Sequence, residues 1–98
     1  MTTFAQHLAE DRRLRILQLL QDAAGYSSND SLLLAALEGF GHRIGHDLLR
    51  ADLAWLEEQG LAGVEDLAGI LVAKITERGL DVATGRARHP GVKRPPPP

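Results

Sequence analysis

Ninety-eight residues suffice for one compact domain with a modest core and exclude two independent cores. A chain that is 44% hydrophobic and 24% charged is not wholesale disordered, and the lack of cysteine excludes disulfides, thiolate metal sites and a cysteine nucleophile. The net charge of −2 hides a split. All 13 acids lie in residues 1–84 with seven of the 11 basic residues, so this stretch carries −6, whereas Arg86, Arg88, Lys93 and Arg94 give the end of the chain +4.

The opening "MTTFAQHLAEDRR" puts charges where a signal peptide needs an apolar stretch. The longest apolar run, Leu32 to Leu37, is too short to span a bilayer. A cytoplasmic protein is expected. From Phe4 to Ala24 the residues Phe4, Leu8, Ile16, Leu19, Leu20 and Ala23 recur at helical spacing, which predicts one long helix closed by Gly25. Its "DRRLR" segment reads as a solvated helix face, with a phosphate-binding patch as the alternative. "GYSSND" is a turn cluster in which Ser28 or Asn29 caps a second helix running to about Gly39.

"GFGHRIG", with three glycines in seven residues, turns the chain sharply before a third helix from His46 to Gln59, stopped by Gly60. Leu61 to Val64 and Ile70 to Ile75 are short, partly β-branched runs around "EDLAG", which predicts a β-hairpin. Thr76 then caps a last short helix in "ERGLDVATG". Beyond it "RARHPGVKRPPPP" cannot be helical and is expected to be a disordered basic tail. The expected class is mainly α with a small β-hairpin, in the order α-α-α-β-β-α, with a domain over residues 1–84 and a tail over 85–98.

A tight helix pair followed by a two-stranded wing is the winged helix-turn-helix plan. "LAWLEEQGL" and "KITERG" resemble the helix-to-wing and strand-to-last-helix junctions of ArsR-like and MarR-like bacterial regulators. "DLAWLEEQGL", "TERGLDVA" and "PGVKRP" together resemble a family of small proteins of Mu-like transposable phages and their prophages. This second resemblance implies the same fold and a phage gene product, and attaches no activity to it.

In such a fold the third helix would enter the major groove, so its outer face decides the function. Leu49, Leu53 and Leu56 share the inward side, and Asp47, Arg50, Ala51, Ala54 and Glu58 lie opposite. With Glu65 and Asp66 at the wing tip, this is a poor surface for phosphates. The candidate contacts to double-stranded DNA are Arg43, His46 and Arg50, with Arg86, Arg88, Lys93 and Arg94 acting as a flexible arm. The expected function is therefore a non-enzymatic, DNA-associated regulator or accessory factor. The rival is a protein-interaction adaptor that uses an apolar strip of Leu48, Ala51 and Trp55, with homodimerisation the first partner use to test; its structural counterpart is Trp55 covered by the wing or last helix.

Other motifs carry less. "GFGHRIG" is one residue too long for the dinucleotide glycine pattern and follows a helix rather than a strand. His42 and His46 have the spacing of helical metal ligands, but Gly45 breaks their shared face, and an exposed turn histidine is the plainer reading. Ser27, Ser28 and Ser31 belong to a capping cluster, and His7 has no partner arrangement for catalysis. No enzyme, cofactor or metal is expected.

Overall fold

A threonine opens the first helix. Thr3 accepts from the backbone of Gln6 while the Gln6 side chain accepts from the backbone of Thr3, a reciprocal cap that fixes the start of α1, Phe4–Asp22. The computed structural model describes residues 1–97, so Pro98, the end of the expected 85–98 tail, lies outside them. After α1 a single 3-10 turn (Ala24–Tyr26) leads into a short strand β1, Ser27–Asn29, and then α2, Asp30–Gly39, capped by Asn29 through a 2.8 Å bond from Leu32 N. Helix α3 spans His46–Glu58, β2 Ala62–Leu67, β3 Ile70–Ile75 and α4 Glu77–Thr84.

The element order differs from the expected α-α-α-β-β-α by β1. Ser27–Asn29 pairs with Val72–Lys74 on the free edge of β3, giving an antiparallel sheet in the order β1-β3-β2. Three residues of turn-forming type hold a strand because β3 offers them an unpaired backbone edge, which local propensity does not register. The hairpin is also longer than expected. β2 continues through Glu65, Asp66 and Leu67, and the reversal is confined to Ala68 and Gly69, both at positive φ as a two-residue primed turn demands. At the outer edge of β2, the Val64 N–H is taken by the Glu57 carboxylate at 2.9 Å.

Three helices, a three-stranded sheet whose hairpin forms the wing, and a closing helix make a winged-helix arrangement. Leu14, Ile16, Leu17 and Leu20 of α1 meet Leu33 and Leu37 of α2, Leu49, Leu53 and Leu56 of α3, Ala73 and Ile75 of β3, and Val82 of α4 in one core. Leu49, Leu53 and Leu56 are fully buried, so the outer face of α3 is the one read from its periodicity. The first two turns of α1 reach beyond this core, leaving Phe4 and Leu8 exposed. No helix among the described residues is long and apolar enough to cross a membrane.

The expected disordered tail does not hold for residues 86–97. Chain beyond Gly85 folds back as a strap across α1, α3 and α4, with Val92 buried in the core and Lys93 N donating to Glu10 O at 3.1 Å. Proline content removed helix from the options, but one buried valine and a set of long-range hydrogen bonds suffice to order a short extended segment.

Candidate nucleic-acid interface

The outer face of α3 is exposed at Asp47, Ala51, Ala54 and Glu58, as its pattern predicts. Its one cation is already engaged. Arg50 Nη2 donates to Gly69 O at 2.6 Å and lies 3.4 Å from the buried Asp30 carboxylate, tying α3 to the wing turn and to the start of α2. Both contacts use Nη2, so the partly exposed guanidinium is oriented by the wing turn while its Nε and Nη1 donors make no hydrogen bond among the described residues. His46 is exposed at the start of α3, and Arg43 projects into solvent with a loose 3.4 Å pair to Glu38. With Glu65 and Asp66 exposed on the wing, the α3–wing surface is predominantly acidic.

Trp55 does not stand free beside Leu48 and Ala51. Gly91, at φ +92, lies so close that a Cβ there would fall 2.7 Å from Trp55 Cζ2. The Arg13 guanidinium stacks 4.2 Å from the indole centroid and donates to Gly91 O at 3.0 Å. His89 meets the indole edge-on with ring centroids 5.8 Å apart. The strap, rather than the wing or α4, is therefore the cover of Trp55. Leu48 and Ala51 remain exposed, so the apolar strip of the adaptor reading is divided.

The strap is held at both ends. His89 has one ring nitrogen 2.9 Å from Gln59 Oε1 and the other 3.4 Å from Arg78 Nη2. Arginine only donates, so His89 Nδ1 accepts from it, and Nε2 carries the proton donated to Gln59. Burial, and then the Arg78 charge, hold the His89 pKa below its ordinary 6.5. Farther on, Lys93 Nζ lies 3.3 Å from Asp11, whose other oxygen accepts from His42 Nε2 at 2.7 Å. Burial would raise the Asp11 pKa, but bonds from His42 and Lys93 and the charges of Lys93 and Arg15 outweigh it and leave the value lowered.

Two expectations are thus corrected. His42 is buried, not an exposed turn histidine, because Asp11 of α1 supplies the acceptor that makes burial tolerable. "DRRLR" is not merely solvated either. Arg12 is buried in a two-point bond with Asp52, itself buried on the inward side of α3 beside Leu49 and Leu53, and Arg13 lies 3.7 Å from the same carboxylate. Sequence reasoning passed over Asp52, although an acid on an inward leucine stripe is itself a sign of a buried partner.

The remaining positive charge is concentrated on one side. Arg12, Arg13, Arg15, Arg43, Arg50 and Lys93 all make ion pairs among the described residues. Arg78, Arg86, Arg88, Arg94 and Lys74 make none; the four arginines lie on α4 and the strap, and Lys74 is exposed on β3. Arg88, Lys93 and Arg94 rim a cleft of about 400 Å3 whose apolar floor is Val82, Ala87, Pro90 and Val92.

This chain is 49% identical over 90 residues, 92% of its length and 93% of the relative's, to uncharacterized protein gp26 of Escherichia phage Mu. It belongs to the gp26 family. An uncharacterized protein of Haemophilus influenzae is 42% identical over 97 residues, covering 98% of this chain and 93% of that one. No family model matches the chain. Among solved structures, the fold of this gp26 relative is similar to that of H. salinarum RosR, with a TM-score of 0.65 at 22% identity over 74% of this chain and 64% of RosR. The complex structure of hsRosR-S4 gives a TM-score of 0.63 at 22% identity, over 72% of this chain and 61% of that chain, so the chain spans less than two thirds of that neighbour. These likenesses support the winged-helix fold; they do not distinguish an ArsR from a MarR type.

Proposed function

We propose that this gp26-family protein is a non-enzymatic, DNA-associated regulator or accessory factor of a Mu-like phage or prophage, acting in the cytoplasm. Contact with the duplex runs mainly through phosphates and mainly from the strap. The observation that carries this reading is the distribution of charge: four of the five Lys and Arg residues without ion pairs among the described residues, Arg78, Arg86, Arg88 and Arg94, lie on α4 and the strap, with Lys74 on β3 the fifth, while α3 and the wing present Asp47, Glu58, Glu65 and Asp66. Arg43 and His46, at the start of α3, are secondary contacts, as is Arg50, whose Nη2 is held by the wing turn while its other donors stay available. Affinity built from phosphate neutralisation is sequence-tolerant and falls steeply with salt.

The test titrates a labelled random duplex at several salt concentrations with the full chain and with an Arg86→Ala/Arg88→Ala/Arg94→Ala variant. Loss of three phosphate contacts makes the plot of log K against log salt shallower by roughly 3. Equal slopes for the two proteins, or no binding by the full chain even at low salt, would sink the reading.

A further inference from the structure

The acidic, aliphatic tip of the wing has the chemistry its own strap lacks. In antiparallel pairing, Leu67 stands directly opposite Ile70 and Glu65 opposite Val72, so Glu65, Leu67 and Ile70 share one face of the hairpin. That face turns away from the core. Glu65 to Ile70 are exposed without interruption, and Leu67 and Ile70 are 53% and 54% accessible. An exposed aliphatic pair flanked by Glu65 and Asp66 is an unusual tip for a wing, since neither the aliphatic side chains nor the carboxylates favour a phosphate backbone.

The cleft between α4 and the strap is its complement. Val82, Ala87, Pro90 and Val92 offer an apolar floor, and the exposed Arg88 and Arg94 stand at the rim without ion pairs among the described residues. At about 400 Å3 the cleft accommodates aliphatic side chains with a carboxylate beside them. The wing and the cleft are different surfaces of the same chain, so a contact between them joins two copies.

We infer that the wing tip of one copy seats in the cationic cleft of a second copy, Leu67 and Ile70 on the Val82–Val92 floor and Glu65, on the same face, against Arg88 and Arg94, with Asp66 adding to the acidic field from the other face. The contact is head-to-tail. A single contact leaves one wing and one cleft free, so assembly ends in a closed ring, of which a reciprocal dimer is the smallest, or in a growing chain. Because the same cations serve the duplex, DNA competes with assembly. The opposed charges steer the encounter and make it salt-sensitive, while the aliphatic pair supplies salt-insensitive burial.

Sedimentation velocity of the full chain over a wide concentration range, at low and high salt, tests this. The expected result is association that grows with concentration and retreats in high salt. Two charge-reversed proteins, Glu65→Lys/Asp66→Lys and Arg88→Glu/Arg94→Glu, are each expected to sediment as monomers, and an equimolar mixture of the two to recover association. Circular dichroism checks that both are folded. Leu67→Ser, on an exposed position that leaves charge and core untouched, is expected to weaken association at least tenfold. A monomer at every concentration, association that survives either reversal, or association that requires an added duplex would each overturn the inference.

Discussion

Asp52 ties α3 to α1 through a buried charge. Its carboxylate is buried, receives two donors from Arg12 and lies beside Arg13, which in turn covers Trp55 and holds Gly91. Removing one member of a buried pair leaves the other charge without compensation, at a cost of about 3–5 kcal/mol. Asp52→Asn is therefore expected to lower the unfolding free energy by about 3 kcal/mol or more in urea titration, whereas Asp47→Asn, on the exposed face of the same helix, changes it by less than about 0.5 kcal/mol. Equal effects would refute the assignment. The leucines around Asp52 were legible from their spacing, and its partner was not. An ion pair between residues 40 apart in sequence leaves no local pattern, and neither does the pairing of His42 with Asp11.

Elements are positioned by close approach as much as by apolar patterning. Gly79 in the first turns of α4 sits where an added Cβ would lie 2.1 Å from Leu61 O and 2.7 Å from Ile75 Cγ1, so α4 can pack over the start of the hairpin only without a side chain there. Gly79→Ala is expected to destabilise by about 1–3 kcal/mol through forced displacement of α4. Gly63 in β2 has open space around its Cβ direction and no positive φ, so Gly63→Ala is expected to leave stability unchanged or raise it by a few tenths of a kcal/mol. Thermal unfolding of the two variants separates them, and a Gly79→Ala protein as stable as its parent would contradict this packing. The helices and hairpin were legible because Leu49, Leu53 and Leu56, the caps Asn29 and Thr76, and the β-branched run in β3 all act locally. β1 was not, since Ser27, Ser28 and Asn29 become a strand only in the presence of β3.

At the scale of the whole molecule, the strap decides which surfaces are available, and its hold is expected to weaken as His89 is protonated. A folded-state pKa below 6.5 for His89 means that the unfolded or released segment binds the proton first, so the stabilisation is complete above pH 6.5 and is lost as pH falls through the folded value. Asp11 acts in the same direction in a lower window, below its ordinary 3.8. Acidification below pH 6.5 is expected to red-shift Trp55 emission as His89 and Gly91 lift away, with far-ultraviolet circular dichroism unchanged until the carboxylates titrate. His89→Gln is expected to abolish that first step; an emission maximum flat down to pH 5 would show that His89 does not fasten the strap. The strap itself was hidden from composition, because a basic, proline-rich end reads as solvated unless the reader knows that Val92 reaches a gap over α1 and α4.

The bond from Val64 to Glu57 bears on solubility. β2 ends the sheet, and Ala62 to Leu67 would otherwise display a ribbon of open amide groups to any passing extended peptide. With one of those donors already occupied, an intruding strand meets a carboxylate where it needs a hydrogen, and fibrous stacking along that border is discouraged at neutral pH.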